Sequence, residues 1–258
     1  MTTFPPFIGL DEATCIPEKL PPRPAFGTSA APYLRLEGEL VPPAFVRDVL
    51  KGLAGELLAS VDEAIVLSEP VPDGLRVVDA SLALPRPSIV LVVTFTDTNK
   101  TVEVPAHGLV WAATESPEFE PISTLLEMHP PPRLASSPRD SHYKLPCYPI
   151  RVPYYPAWQA VHDYVHDQST EHLLEYLLHA PREDYHYRPL APDAIRAVPL
   201  RSPAHEGDIE DDLYKLERIR QLWINAAALQ LGDDRLWETM ALAWMTLFAR
   251  VRREPPRP

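Results

Sequence analysis

The chain is poor in the residues that most enzymes and secreted scaffolds rely on. Its 258 residues contain only 9 glycines. None of them forms a G-x-G-x-x-G turn, a G-x-x-x-x-G-K loop or a G-x-S-x-G elbow, so nucleotide and acyl-transfer chemistry lack their usual backbone supports. Two cysteines, Cys15 and Cys147, allow one disulfide at most. The N-terminus has neither a basic n-region nor an apolar h-region. The expectation is two free thiols in an intracellular chain, nuclear or cytoplasmic. No apolar run reaches the 18 or so residues of a membrane span. Positive charge is also short, and the net charge is -12. Broad nucleic-acid binding needs basic surface to release counterions, so neither nucleic acid nor an anionic membrane is an expected partner.

Proline, by contrast, is abundant. There are 32, against roughly 13 at average usage. Each fixes φ and removes an N–H donor, so most must lie outside helices and central strands. Residues 1–43 hold nine of them and few periodic apolar positions. They read as a flexible arm. Residues 44–251 read as a single α+β domain with irregular loops at 129–149 and 181–212, followed by a proline and arginine tail at 252–258. In the first loop Pro130, Pro131, Pro132, Pro138, Pro146 and Pro149 exclude regular helix.

Apolar spacing supplies the elements of that domain. Val46, Val49, Leu50, Leu53, Leu57, Val61 and Ile65 recur at helical intervals over 44–67. Pro70 to Pro87 is a connector in which Leu75–Val78 suits a short edge strand. Ile89–Val93 has no alternation and suits a strand buried on both faces. Asp97-Thr98-Asn99-Lys100 has turn chemistry, and Thr101–Val104 alternates, so the two runs form a hairpin. Pro105 fits the first turn of a helix that buries Leu109, Val110 and Ala113, with Trp111 beside them. Pro156 opens another helix, with Trp158, Val161 and Val165 on its inner face. Ser169 caps a third, which carries Leu173, Leu174, Leu177 and Leu178. Leu213, Leu216, Ile219, Trp223, Ala226 and Leu229 share a face. Gly232 is then expected to stop that helix. Asp233 or Asp234 caps an antiparallel partner with Leu236, Met240, Trp244, Leu247 and Val251 along one stripe.

Four features have a functional reading. His162 and His166 stand at i and i+4, the spacing with which one helical face holds a metal. The residue after His162 is Asp163 where the metalloprotease pattern has Glu, and a third ligand would have to come from Glu171, His172 or Glu175. The apolar face of the same helix points elsewhere, so both rings are expected to be solvated and no metal or other cofactor is expected. His107, at a helix start, suits a hydrogen bond within the fold. Pro21-Pro22-Arg23-Pro24 recurs as Pro255-Pro256-Arg257-Pro258, with Pro130-Pro131-Pro132-Arg133 a near variant. Such runs favour the polyproline helix that aromatic grooves such as those of SH3 domains read. Equally, many proline-rich tails bind nothing. Trp237 suits either the core or an interface.

Two resemblances follow. Val92-Val93 through Val104-Pro105-Ala106-His107, then Leu109–Ala113, Ser116-Pro117-Glu118-Phe119 and Trp158–Val165, resemble a BTB/POZ domain over about residues 88–180. That likeness implies a small central sheet surrounded by helices, possible self-association into a homodimer, and, as one alternative, a substrate adaptor for a cullin ubiquitin ligase. Leu222-Trp223-Ile224-Asn225-Ala226-Ala227-Ala228-Leu229-Gln230-Leu231-Gly232-Asp233-Asp234-Arg235-Leu236-Trp237-Glu238, with Ala243-Trp244, resembles the C-terminal signature of the clampless-type proteins of basidiomycete fungi. Gln230 departs from the glycine usual there, and Gly232 from an aromatic residue. This resemblance implies a non-enzymatic regulator of sexual development, acting in clamp-cell formation and dikaryon growth through unidentified protein partners. A metal-dependent hydrolase at His162 and His166 is the remaining alternative.

Overall fold

The computed structural model of the chain describes residues 16–26, 33–36, 38–70, 74–80, 84–129, 142–179 and 209–253. It is a mixed α+β structure built on one small sheet. The apolar run at Ile89 becomes β5 (Ile89–Phe95), in which every odd residue from Ile89 to Phe95 is buried on one face and Val90 on the other. It pairs antiparallel with β6 (Thr101–Ala106) through the expected turn. The strand continues through Pro105, which pairs with Val90, so this proline does not open a helix. At a sheet edge a missing N–H can face outward without cost to the ladder.

Residues 142–149, expected to be irregular, belong to an 11-residue strand, β7 (His142–Val152). It lies at the centre of the order β3-β4-β7-β5-β6, where β3 is Ile65–Pro70 and β4 is Leu75–Asp79. Residues 142–146 pair antiparallel with β4, and 147–152 pair parallel with β5. Each position of β7 therefore has a paired neighbour on one side only. Pro146 and Pro149 are tolerated if their nitrogens face the open side. β4 is consequently an interior strand, and β3 takes the edge. The partner change along β7 bends the sheet. Arg76 on β4 would lie about 14 Å from β6 in a flat sheet, yet its guanidinium grips Glu103 of β6 with Nε at 2.9 Å from both carboxylate oxygens. Val78, Ala80, Val90, Tyr143 and Leu145 fill the inside of the bend.

The helices cover the other face. The stretch 44–67 forms two helices, α1 (Pro43–Lys51) and α2 (Ala54–Glu63), broken at Gly52 and Leu53, and Ile65 already belongs to β3. Then come α3 (Gly108–Ala112), a 3-10 turn at Pro117–Phe119, α4 (Glu120–Met128), α5 (Trp158–Asp167), α6 (Thr170–His179), α7 (Ile209–Ala228) and α8 (Asp234–Arg253). Ser169 caps α6 as expected, accepting from the His172 N–H at 3.2 Å. Residues 209–212, placed by sequence in the polar gap, are already helical. Trp111 is fully buried at the centre and not beside the packed face.

α7 ends differently from expectation. The left-handed residue is Gln230, at φ 51°, and Gly232 has no positive φ. Leu231 N–H donates to the Ala226 carbonyl and Gln230 N–H to that of Ala227, which is the Schellman pattern. The position where the clampless-type signature carries glycine is thus the one whose backbone favours glycine. Asp233 caps α8, accepting from the Arg235 N–H at 3.1 Å.

The arm is also partly built in. Residues 34–36 and 39–41 form a two-stranded hairpin, β1–β2. Ile16, Leu20 and Phe26 pack against the main core. Within 16–26 the prolines do not prevent ordering, because the segment lies on α8 and needs no regular hydrogen bonding of its own.

Candidate functional site

The first candidate is the histidine pair. α5 lies at the centre of the helical layer and has almost no free face: every residue from Trp158 to Asp167 except Gln159 is buried. His162 and His166 are therefore interior, only 2% and 1% exposed, and not solvated. Their rings lie 4.5 Å apart, with His107 5.9 Å beyond His166. Trp111 stacks on Trp158 at 5.7 Å and 15°, and its indole ring closes the cluster.

Most polar atoms of the cluster serve the fold. His162 Nδ1 donates to Asp163 at 3.1 Å, and His166 Nδ1 to the His162 carbonyl at 2.8 Å. His107 Nε2 lies 2.7 Å from Ser60 Oγ and 3.1 Å from the Leu57 carbonyl, as its sequence position suggested. Burial holds His107 down at about 4 and His166 well below the ordinary imidazole value. Burial also raises the Asp163 carboxyl above its ordinary value, against the pull of its bond to His162. Among the described residues the Nε2 atoms of both α5 histidines, Asp163 Oδ2 and Trp111 Nε1 have no hydrogen-bond partner.

The third ligands considered from sequence do not join the pair. His172 pairs with Asp167 at 3.1 Å, and Glu175 lies 3.9 Å from His179. Glu171 is exposed. Among the described residues no group of three or more His, Cys, Asp or Glu side chains is placed to hold a metal. Cys147 lies half-buried on β7, with its thiol pushed up by burial, and Cys15 lies outside the described residues.

The second candidate is the tryptophan ridge of α7 and α8. Trp223 and Trp244 are core residues, as their stripes implied. Trp237, a candidate interface residue by sequence, is only 7% exposed; its indole N–H donates to the Leu231 carbonyl at 2.9 Å and its ring meets Trp223 edge-on at 5.6 Å. What covers it is the chain's own N-terminal segment, since Phe26 lies 5.9 Å away. Pro21, Pro22, Arg23 and Pro24 lie on the same ridge. Arg23 is ion-paired with Asp234, and its guanidinium lies 5.6 Å over the Phe26 ring. Trp244 donates its indole N–H to the Pro17 carbonyl at 3.0 Å. Pro21 and Pro24 are half-buried while Pro22 and Arg23 are exposed, which matches the three-residue turn of a polyproline helix. The runs at 130–133 and 255–258 lie outside the described residues.

Sequence reasoning missed Asn225, which is fully buried within an apolar stripe. Its side chain accepts from the Tyr154 N–H at 2.9 Å and donates to the Tyr154 carbonyl at 2.8 Å, tying the end of β7 to α7. An amide among alanines was the available signal.

Comparison with known proteins adds one finding. Residues 171–256 match the family model of the Clampless protein 1 C-terminal domain. That stretch carries α6, α7, α8 and the tryptophan ridge. No curated protein and no solved structure matches the chain.

Proposed function

We propose that this chain, a clampless-type protein, regulates fungal sexual development as a non-catalytic protein–protein interaction module. Its action would lie in clamp-cell formation and dikaryon growth, as the resemblance implies. The supporting observation is an apolar stripe left open among the described residues. Phe45 and Val49 stand one turn apart on the outer side of α1, and Leu53 follows in the break before α2; they are 60%, 52% and 41% exposed. Scattered exposed apolar residues mean little, but three in a row along one helix and its exit suit a docking surface. The polar groups that suggested catalysis lie in the interior instead, where a substrate would have to displace the packing of Trp111 and Trp158.

Affinity purification of the full chain from mating-competent cells tests the reading. A discrete partner retained by the wild type and lost in Phe45→Asp, with the melting temperature unchanged, is the expected outcome. An unaltered partner set in that variant would count against the α1 stripe, and turnover of a substrate by the purified chain would end the non-catalytic reading. The BTB/POZ likeness belongs to the same proposal. The β5–β6 hairpin running through His107 into α3 and the 3-10 turn at Pro117–Phe119 support it. Self-association is its corollary, which light scattering showing a monomer at micromolar concentration would remove.

A further inference from the structure

We propose that a single water molecule is bound inside the histidine cluster, donating its two protons to Nε2 of His162 and Nε2 of His166 and accepting the indole N–H of Trp111. This goes beyond the interaction reading and does not rest on it. Three buried atoms carry the inference. Both Nε2 atoms and Trp111 Nε1 are shielded from bulk solvent, and none has a hydrogen-bond partner among the described residues. A polar atom buried in that way loses its hydration without return. The three side chains are neighbours. The two imidazole centres lie 4.5 Å apart, and the Trp111 ring lies 6.1 and 6.2 Å from them.

The tautomers decide what the occupant must be. His166 Nδ1 faces the His162 carbonyl at 2.8 Å, and a carbonyl can only accept, so Nδ1 holds the proton. Burial keeps that ring neutral. His162 Nδ1 faces Asp163 Oδ1 at 3.1 Å, an oxygen that also accepts from the Gln159 amide at 2.9 Å. Its proton is on Nδ1 as well. In the neutral form of each ring Nε2 is then a lone pair, whereas the indole N–H can only donate. The site asks for two donated protons and offers one. Water has both capacities, and a buried water typically makes about three hydrogen bonds. Held in the plane of an imidazole it sits about 4 Å from the ring centre, so one oxygen can serve both rings. A metal ion suits the site less. It could take the two lone pairs, but it would confront the indole proton, and no third ligand joins the pair among the described residues. His107 Nε2 is spent on Ser60 and the Leu57 carbonyl. Asp163 Oδ2 lies on the Nδ1 side of His162 and takes no part. By this assignment the water bridges α3 to α5 and completes the hydrogen bonding of the core between them.

Nuclear magnetic resonance of the isotope-labelled full chain at neutral pH is the test. Long-range correlations should show Nδ1 protonated and Nε2 bare in both His162 and His166. The Trp111 indole proton and the histidine ring protons beside Nε2 should give cross-peaks at the water frequency. Their sign, compared between laboratory-frame and rotating-frame Overhauser spectra, should be that of a water that stays longer than the protein takes to tumble. Trp111→Phe keeps a ring against Trp158 and removes the donor, so the histidine cross-peaks to water should lose intensity in it. The wild-type spectra decide the matter if that variant unfolds. Equimolar zinc should leave both imidazoles unshifted. No water cross-peak at Trp111, a proton on either Nε2, undiminished histidine cross-peaks in a folded Trp111→Phe, or zinc-dependent shifts of both rings would each overturn the proposal.

Discussion

The histidine cluster and the tryptophan ridge are both aromatic, buried and lined with polar atoms, but they are closed in different ways. The cluster is sealed by elements that form the body of the fold: α2, α3 and α5 supply Ser60, Trp111, His162 and His166. The ridge is covered by a single extended segment more than two hundred residues away in sequence, held by an indole hydrogen bond, a ring contact, a surface ion pair and the packing of Ile16, Leu20 and Phe26. Burial alone therefore does not tell how firmly a region is closed. What separates the two is the cost of uncovering. Opening the cluster means unfolding the domain, whereas opening the ridge means lifting one strap.

The largest effect should come from the cluster. Trp111→Ala removes a fully buried indole stacked on Trp158 and is expected to cost about 3–5 kcal/mol, read as a collapse of the urea midpoint. A shift under about 1 kcal/mol would show that the interior is looser than its packing implies.

Acid tests the cluster next. His107 sits near 4 in the fold, from burial first, and near 6.5 when unfolded. As the pH falls through that window the unfolded chain takes up a proton that the folded chain refuses. Stability from this group is complete above about 6.5 and is lost by about 4, amounting to about 3 kcal/mol. His166 is lowered for the same reason and acts in the same direction, while the raised Asp163 opposes both. His107→Phe isolates the term, because Ser60 can keep its bond to the Leu57 carbonyl. Urea midpoints between pH 7.5 and 4.5 should fall less in the variant than in the wild type, and equal slopes would refute the assignment.

Asn225→Ala leaves the Tyr154 N–H and carbonyl without their partner. About 2 kcal/mol should be lost, with the thermal midpoint as readout. Gln230→Gly works in the other direction. It relieves a left-handed backbone at φ 51° but gives up an exposed bond to Glu118, so a gain of about 0.5–1 kcal/mol is expected. The smallest effect belongs to the strap. Arg23→Ala breaks an ion pair whose Asp234 is 77% exposed, and it should change stability by less than about 1 kcal/mol. A larger loss would mean that the strap is part of the core after all.

The β5–β6 hairpin and the α7–α8 pair were legible from periodicity, because the apolar spacing of each repeats over several turns or pairs. β7 was not. Its prolines argue against a central strand until one knows that its two halves are paired on opposite sides. Nor was the burial of His162 and His166: the spacing of Trp158, Val161 and Val165 marks one inner face, whereas α5 is enclosed by neighbours that only the tertiary structure brings together. The strap was missed for a related reason. Composition shows that residues 1–43 cannot form their own core, but not that α8 offers one to residues 16–26. Trp237 was left open between core and interface, and it is covered by its own chain.

The partner change along β7 also dictates an order of assembly. β3–β4 and β5–β6 are local hairpins, each closed by neighbouring residues. Neither touches the other in the ladder until residues 142–152 insert between them. Closing such non-local pairs is what slows folding. On a ribosome the two hairpins would emerge first and wait as separate units with open edges. The domain can become cooperative only when Val152 has left the tunnel, and a variant that weakens β7 should therefore slow folding more than it speeds unfolding.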